Sequence, residues 1–462
     1  MRPLPPSLFL IAALAAAGPS TVIATDGDVD LTYQSAGQGF AIFGAPGDAS
    51  PARLLAAPDG NLVVLYHWTD QNGTPRQDRW RQVFATGYGP PCSLVQGSVT
   101  EMSVRGAAFD SLGRLIVVGT EYAGTQRIVV ERFLYPDCTL DPDFDGNGLA
   151  AYLAGEGPYG VAIVPRRVGL FPLTRQVYDL VGTLVPGATH LVVLRLDDDG
   201  ALDTTWGGGD GRVEISLSGA HLYAEDAALD PQGRIVVASQ CQFDASLNWA
   251  FAVTRVLSDG TPDPGFSGVG TRIVDFDLLE NGTDSAFAVA LANDGRIAVV
   301  GSAESVGDDV MALAVLLPNG NLDGTFSGDG RLTYGGPLDV QTSGRFVVFQ
   351  SDGRLLVGGS TYRLAGSAVF TPALEVGFVE RYRPDGSPDP AFGDAGLAEP
   401  TLATYPDLGS SATAIAAGAD GRPLLAGGLE RDGTALHDGW IARLDNALIF
   451  ADGFESGTTG AW

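Results

Sequence analysis

Two short patterns alternate along this chain at intervals of about 60 residues, and they restrict it to a repeat architecture. The first pattern is a glycine turn followed by a β-branched run, as in PDGNLVVLY at 58–66 and NDGRIAVVGS at 293–302. Its turn glycines are Gly60, Gly113, Gly233, Gly295, Gly353 and Gly421, separated by 53, 120, 62, 58 and 68 residues. The double gap contains a degenerate copy at 161–183, so the pattern occurs seven times.

The second pattern is a polar turn, an aspartate, and an aromatic residue two or three positions later, as in SDGTPDPGFSGVG at 258–270. A degenerate copy lies near 90–98. Because the aromatic residues recur at one place in the unit, we expect them to be wedges between units and not a sugar-binding platform. Off-repeat aromatic residues such as Trp68, Trp80 and Trp249 are better carbohydrate candidates, although nothing in the sequence ties them together. The repeat aromatic residues are Tyr33, Phe144, Trp206, Phe266, Phe326 and Phe392.

Each unit contains four runs with strand character, for example 271–276, 285–292, 296–302 and 310–317. No apolar stripe of helical period follows the N-terminal region, so helices should be almost absent. We therefore predict an all-β fold, a seven-bladed β-propeller of four-stranded blades built from repeats of about 60 residues. A linear β-solenoid is the alternative. Because the chain enters in mid-unit, we expect its first segment to complete the last blade and close the ring.

The two ends of the chain lie outside the repeats. Residues 1–24 combine Arg2 with an apolar stretch too short to span a bilayer and with small residues, which is typical of a signal peptide. We predict a signal peptide at 1–24, the seven-repeat propeller at 25–446 and a C-terminal tail outside the fold at 447–462. The protein should then be secreted, either extracellular or held in the periplasm or at the cell surface, without a membrane span.

The strong acidity of the chain limits its partners. There are 55 acidic and 27 basic residues, a net charge of −28, which repels nucleic acid and anionic membranes. We therefore expect an extracellular protein or glycan ligand and no nucleic acid. Of the three cysteines, Cys92 and Cys138 stand in similar local contexts, whereas Cys241 does not. Equivalent turns on neighbouring blades normally lie too far apart for a disulfide, so the pairing stays open.

The alternation of LD-x-T-[FW]-G-x-x-G with DG-[KR]-[IL]-V-V-x-G-[ST] resembles the delta-60 repeat family, a β-propeller-like family of secreted and surface proteins of bacteria. The resemblance covers roughly residues 26–446, and the units at 90–98 and 161–183 depart from it. It implies an architecture and export. It implies no reaction, because that family is defined by its repeat.

One segment has the spacing of a metal loop. Asp141, Asp143 and Asp145 alternate before a glycine, as at the start of a calcium loop, but the twelfth position is Tyr152 and not a bidentate glutamate. Asp141 also recurs in other units, which favours turn capping by its side chain. Calcium at this loop is the one cofactor that the sequence leaves open. The equivalent aspartates are Asp203, Asp263, Asp323 and Asp389.

Two sets of arginines invite a functional interpretation. One follows the glycine turns, and its regular recurrence favours pairing with repeat aspartates over an anion-binding ring. The other set, Arg166, Arg167 and Arg175, clusters in the degenerate unit of an acidic protein and is our candidate binding loop. An ordinary long surface loop is the alternative. The turn arginines are Arg114, Arg234, Arg296, Arg354 and Arg422.

No catalytic signature occurs in the chain. The four histidines lack H-E-x-x-H spacing, and there is no G-x-S-x-G elbow. We therefore assign no catalytic and no cofactor-binding residues, and expect a secreted, non-catalytic propeller that serves as a binding or structural module. The alternative is a secreted glycan-acting hydrolase or lyase with carboxylates at the propeller axis. A calcium-dependent adhesin is a third possibility.

Overall fold

The computed structural model describes most of the repeat region. The signal peptide and the tail predicted at 1–24 and 447–462 lie outside the described residues, as does the first copy of the aromatic pattern at 26–39. The described residues are 40–43, 48–69, 77–84, 87–94, 102–122, 125–169, 174–185, 189–243, 248–280, 282–306, 308–335, 339–364, 373–399, 409–417, 422–430 and 437–444.

Every regular element in these ranges is a β-strand, which confirms the all-β prediction. No helix that could cross a membrane occurs among them. The first strands along the chain are β1 (Phe40–Phe43), β2 (Asp48–Ala56), β3 (Leu62–Thr69), β4 (Gln77–Phe84), β5 (Gly87–Tyr88), β6 (Cys92–Ser93), β7 (Met102–Phe109), β8 (Leu115–Glu121), β9 (Arg127–Leu134), β10 (Thr139–Leu140) and β11 (Leu149–Tyr152). The middle strands are β12 (Tyr159–Val168), β13 (Arg175–Leu184), β14 (His190–Asp197), β15 (Arg212–Ile215), β16 (Ala220–Leu229), β17 (Ile235–Phe243), β18 (Trp249–Val256) and β19 (Thr271–Val274). The last strands are β20 (Asp284–Leu291), β21 (Ile297–Glu304), β22 (Asp309–Leu316), β23 (Arg331–Tyr334), β24 (Asp339–Phe349), β25 (Leu355–Leu364), β26 (Ala373–Tyr382), β27 (Leu397–Ala398), β28 (Ala414–Ala417), β29 (Pro423–Glu430) and β30 (His437–Arg443).

Antiparallel pairing sorts these strands into consecutive groups, each with its first strand at one edge. Groups 5 and 6 form one eight-stranded sheet because Asp309 of β22 and Gln341 of β24 make a single parallel pair. The groups are group 1 (β2–β6), group 2 (β7–β11), group 3 (β12–β15), group 4 (β16–β19), group 5 (β20–β23), group 6 (β24–β27) and group 7 (β28–β30 with β1).

The groups are offset by one strand from the runs read in the sequence. The predicted run at 271–276 corresponds to β19, which pairs with β18 as the last strand of group 4. The three runs that follow it become β20, β21 and β22 of group 5. The pattern of strands in the sequence cannot show which strand begins a group, because the connection between two groups is as short as the turns within a group.

The N-terminal strand completes the last group, as predicted. β1 pairs antiparallel with β30, from Phe40 opposite Ala442 to Phe43 opposite Gly439. The strand order of group 7 is therefore β1-β30-β29-β28. This pairing covers the edge of β30, which would otherwise present unpaired backbone groups.

The groups pack face to face in a cycle. Seven hydrophobic clusters each join two consecutive groups, and one of them joins Ala414 and Leu424 of group 7 to Leu54 and Val64 of group 1. Consecutive first strands also contact one another around a closed cycle and so surround a centre. The repeat aromatic residues lie inside these clusters, at most 5% exposed, which confirms them as wedges; burying such a side chain contributes about 2 kcal/mol. Those described are Phe144, Trp206, Phe266, Phe326 and Phe392.

A disulfide between Cys92 and Cys138 links groups 1 and 2, with the two Cα atoms 5.4 Å apart. Cys92 lies on β6 opposite Trp80, the place that Ala150 of β11 takes opposite Val130 in group 2. Cys92 thus sits on a fourth strand and Cys138 in a turn. The two cysteines are not at equivalent positions despite their similar contexts, so the objection that equivalent turns lie too far apart does not apply.

Candidate functional site

One end of the molecule carries the turns between first and second strands and between third and fourth strands; we call it the turn end. Four of the five turn arginines form ion pairs with aspartates there, as predicted: Arg114, Arg234, Arg296 and Arg354. Arg114 Nε lies 2.7 Å from Asp110 Oδ2, and Arg354 Nη1 lies 2.6 Å from Asp389 Oδ2. Each described turn aspartate of the second pattern also caps its own turn: Asp263 Oδ1 accepts the Gly265 N–H at 2.8 Å.

A second set of arginines, on the third strands, escaped the sequence analysis. Each is at most 4% exposed and covers the aromatic wedge of its own group at 4.3–4.8 Å. Arg255, for example, lies 2.7 Å from Asp263 and also donates to the Pro318 carbonyl of the next group. The intervals of 63 and 60 residues between the first three were the available signal. The members are Arg132, Arg195, Arg255 and Arg381.

The predicted metal loop belongs to this turn network. The Asp141 carboxylate lies 2.8 Å from Arg132 Nη2 and accepts the Asp143 N–H at 3.0 Å, whereas Asp143 and Asp145 are exposed. No group of three or more His, Cys, Asp or Glu side chains that could hold a metal occurs within the described ranges. Turn capping by Asp141 is confirmed, and calcium at this loop stays a prediction.

The three arginines of the predicted binding loop lie in different surroundings. Arg166 is 5% exposed and its Nε lies 2.9 Å from Asp179 Oδ2. Arg175 Nη2 lies 2.6 Å from Asp203 Oδ2, the contact that Arg354 makes with Asp389 in group 6. Arg175 thus takes the role of a turn arginine in the degenerate unit. Arg175 keeps this contact although its side chain is exposed, and Arg167 is exposed at the end of β12.

The centre of the molecule breaks the repeat. Six first strands carry a β-bulge at the same place, where one residue has no partner on the second strand. A bulge re-aims the extra side chain, and here the backbone feature recurs while the side chain differs in almost every group. The bulge residues are Ala52, Arg105, Val161, Glu225, Phe287 and Arg345.

Charged side chains from four groups converge at these bulges. Arg53 Nη2 lies 3.6 Å from Asp226 Oδ1, and the Arg345 guanidinium lies 4.4 Å from the centre of the Phe287 ring. Glu225 Oε1 accepts a 2.7 Å hydrogen bond from Gln240. Three guanidiniums face two carboxylates here, in a chain whose net charge is −28. We call Arg53, Arg105, Glu225, Asp226 and Arg345 the axial cluster.

The electrostatics of Glu225 show how closely this cluster is gathered. Burial raises the pKa of Glu225 to about 7, although Arg105, Arg345 and Arg53 act in the opposite direction. Those three arginines belong to groups 2, 6 and 1, whereas Glu225 belongs to group 4. Burial also raises the pKa of Asp226, against the effect of Arg53 and of the Val289 N–H bond. The arginines and the two acids therefore lie within electrostatic range of one another across the centre.

Aromatic residues outside the repeat lie towards the opposite end of the molecule, where first strands begin and second strands finish; we call it the loop end. Tyr122 and Tyr159 are 44% and 37% exposed, with ring centres 6.3 Å apart. Tyr223 and Trp249 stack at 5.3 Å with an angle of 31°. Tyr362 is 40% exposed. Of these rings, Tyr362 lies close enough to Arg345 of the axial cluster for the two groups to interact electrostatically.

The other off-repeat tryptophans behave differently. Trp68 lies on β3 with the Arg79 guanidinium 3.6 Å from its ring centre, and Trp80 is fully buried in the core between groups 1 and 2. Of the three carbohydrate candidates named from sequence, Trp80 therefore offers no surface to a ligand. Trp249 lies beside Tyr223, and sequence spacing could not reveal that pair because its members are on different strands.

A histidine–aspartate pair in group 1 serves the fold. His67 Nδ1 lies 2.8 Å from Asp78 Oδ1, and Asp78 Oδ2 accepts the Val104 N–H of group 2 at 2.5 Å. In the next groups the Thr120 and Thr183 hydroxyls take the backbone N–H of Gly160 and Ala224 in the same way. Asp78 is thus part of the link between first strands.

Comparison with known proteins identifies a fold and no activity. Residues 292–326 and 350–370 match a family described as "Domain of unknown function (DUF5122) beta-propeller". No curated protein matches the chain. Among solved structures, an unknown-function protein from Dyadobacter fermentans is 12% identical, with coverage of 88% of this chain and 98% of that one and a TM-score of 0.45. Chaetomium thermophilum Sqt1 is 13% identical, with coverage of 88% and 97% and a TM-score of 0.46. The Fusarium graminearum α-L-arabinofuranosidase Arb93A is 12% identical, with coverage of 78% and 97% and a TM-score of 0.39.

The family match and the cyclic packing agree. The matched residues span the turns and strands of groups 5 and 6, which pack with their neighbours as all the other groups do. The fold is a β-propeller.

Proposed function

We propose that this chain is a secreted, non-catalytic β-propeller that binds an extracellular ligand at the axial cluster on the side of the loop end. The observation that carries the proposal is the contrast between the two kinds of polar residue. The recurrent arginines and aspartates pair with each other in turns and in contacts between groups, whereas the bulge residues differ from group to group. In a repeat protein, function resides where the repeat is broken.

The architecture proposed with this function is a closed ring of seven four-stranded blades, in a member of the delta-60 repeat family. Seven copies of the glycine pattern, seven inter-group clusters and the pairing of β1 with β30 support it. Export is proposed from residues 1–24, and the disulfide supports it because such bonds persist in oxidising compartments. The tail at 447–462 is proposed to lie outside the ring.

One observation favours the alternative, a glycan-acting hydrolase or lyase. A carboxyl group with a pKa of about 7 beside arginines, as at Glu225, has the properties of a general acid or base. Against this, Glu225 and Asp226 are neighbours in sequence, and each is hydrogen bonded to the framework, Glu225 to Gln240 and Asp226 to the Val289 N–H. A pair of carboxylates that flanks a glycosidic bond needs two opposed positions.

A single experiment separates the two functions. The full chain, expressed with export, is incubated with a panel of oligosaccharides while binding is measured by calorimetry and cleavage by chromatography of the products. We expect binding of some members and no new products. Cleavage that disappears in Glu225→Gln would replace the binding module with the enzyme. Absence of binding and cleavage across neutral, acidic and amino sugars would remove the glycan-binding function.

A further inference from the structure

We propose that the axial cluster binds a chain of carboxylate-bearing sugars, in which Arg105 and Arg345 bind the carboxylates and the loop-end aromatic residues stack on the sugar rings. This inference rests on the proposed binding function and specifies its ligand. It comes from two independent features, the two arginines at the bulges and the aromatic rings of the loop end.

The first feature is that Arg105 and Arg345 differ from the arginines of the repeat. Both are exposed residues at β-bulges, and neither makes an ion pair within the described part of the chain. The arginines at repeat positions are paired by contrast, as Arg114 is with Asp110 and Arg255 with Asp263. Glu225 acts electrostatically on both arginines and Glu375 acts on Arg345, but neither arginine forms an ion pair with them, so their N–H groups are available to a ligand anion.

The geometry of Arg345 favours a carboxylate. Its guanidinium carbon lies over the Phe287 ring, 4.4 Å from the ring centre, which is within the range of a cation–π contact. The N–H groups point outward in the plane of the guanidinium and can bind a carboxylate through two parallel hydrogen bonds. Phe287 is the bulge residue of the adjacent group 5, so neighbouring bulges build this arrangement together.

The second feature is a set of aromatic rings at the loop end, exposed at Tyr362 and half-buried at Tyr223 and Trp249. Tyr362 belongs to group 6, as Arg345 does, and Arg345 acts electrostatically on its phenol. The stacked pair of Tyr223 and Trp249 belongs to group 4, as Glu225 does. An inorganic anion needs guanidiniums alone, whereas a sugar also has apolar ring faces that bury against flat aromatic surfaces. The two features together select an acidic sugar chain.

The acidic exterior adds specificity. A net charge of −28 repels polyanions at a distance, so a bound chain must be held by short-range contacts at the axial cluster. A neutral sugar chain cannot make the two charge-assisted contacts with the arginines. A flexible acidic peptide has no sugar rings to stack on the aromatic side chains.

The test is calorimetric titration of the full, exported chain with hexagalacturonate, with maltohexaose as the neutral glycan and hexaglutamate as the acidic peptide. We expect saturable binding of hexagalacturonate only. Arg105→Gln and Arg345→Gln should each weaken it about tenfold or more, since each removes a charge-assisted hydrogen-bonded contact. Arg383→Gln is the matched control, because Arg383 is exposed but lies in the turn after β26, at the turn end. Its affinity should equal that of the unaltered chain. Thermal unfolding of each variant verifies that it is folded.

Each other outcome overturns a defined part. If hexagalacturonate does not bind, or if maltohexaose binds equally well, the acidic-sugar inference is wrong. Binding of any neutral glycan would still support the proposed binding function. Binding of hexaglutamate with equal affinity assigns the site to acidic peptides. Unchanged affinity in both arginine variants moves the site away from the axis. Cleavage of hexagalacturonate would contradict the proposal that the protein is non-catalytic, but not the proposal that the arginines bind the carboxylates.

Discussion

At the scale of residues, the turn end is held by buried arginines, and Arg132, Arg195 and Arg255 each lie between an aspartate of their own group and a carbonyl of the next. A guanidinium taken out of water is stable only if its donors are satisfied, and Arg255 meets this with Asp263, the Pro318 carbonyl and the face of Phe266. Group 5 has Val315 at the equivalent position, where only the backbone bond from Asp323 N to Val315 O remains. The backbone of the turn therefore forms without the arginine. Where the arginine is present, its role is to pair with the buried aspartate.

Replacement of Arg255 by methionine should destabilise the protein by about 2 kcal/mol, because the buried Asp263 loses its 2.7 Å ion pair and keeps only Arg234 at 3.6 Å and the Gly265 N–H. The free energy of unfolding in urea measures this. Arg167→Met, at an exposed position, should change it by no more than about 0.5 kcal/mol. Equal losses in the two variants would show that the buried pair contributes nothing specific.

Hexagalacturonate affinity should fall as the pH rises from 5.5 to 8. The pKa of Glu225 is about 7 in the folded protein, so over this range it gains a negative charge beside Arg105, Arg345 and Arg53 and competes with the ligand carboxylates. Gln240 hydrogen bonds Glu225, and Asp226 is the other acid of the cluster, with a pKa that burial also raises. Glu225→Gln should keep high affinity and flatten the profile; a slope that persists in this variant would assign it to another group.

The same ionisation has a consequence for stability. Because the folded state of Glu225 holds its proton to a higher pH than the unfolded chain, the stability it contributes is complete below about 4.5 and is lost as the pH rises through 7. Glu225→Gln should therefore unfold with a smaller loss between pH 5 and 8 than the unaltered chain. Denaturant midpoints across that range provide the comparison.

At the scale of elements, the sequence was sufficient for strands and turns, because each is coded by local residues. The β-branched run at 297–304 and the positive φ of Gly295 are properties of a few consecutive positions. Two features were not local. The phase of β19 depends on which neighbour it pairs with, and a one-residue bulge such as that at Glu225 leaves the alternation of the strand almost unchanged.

The disulfide joins elements of two groups and should stabilise them by about 2–4 kcal/mol, since it closes a loop with a sequence separation of 46. A reductant should lower the melting temperature of the unaltered chain. Cys241→Ala should show the same drop, because Cys241 is a free, buried cysteine. Cys92→Ala/Cys138→Ala should start at the lower melting temperature and not respond. An equal response of all three proteins would exclude the disulfide as its source.

At the scale of the whole molecule, the sequence predicted the cyclic arrangement of the groups but not the axial cluster. Wedges, turn arginines and the closing strand follow from recurrence, and recurrence is what a sequence displays. The axial cluster is the opposite case: Arg105, Glu225 and Arg345 come from distant groups and share only a bulge. The unusual loop sequence at Arg166 and Arg167 attracted attention instead, although Arg166 is buried against Asp179.

Ring closure depends on a four-residue strand, and its removal tests the architecture as a whole. Without residues 25–44 the chain lacks β1, so β30 has an uncovered edge in the group that also packs against group 1 through Leu424 and Leu54. We expect a lower melting temperature and self-association, because an exposed edge pairs with other chains. Light scattering and calorimetry measure both effects. Removal of 447–462 is the control, and it should change neither, since the tail is proposed to lie outside the ring. A truncated chain that stays monomeric and equally stable would mean that the cycle is held by side-chain packing between groups 7 and 1 alone.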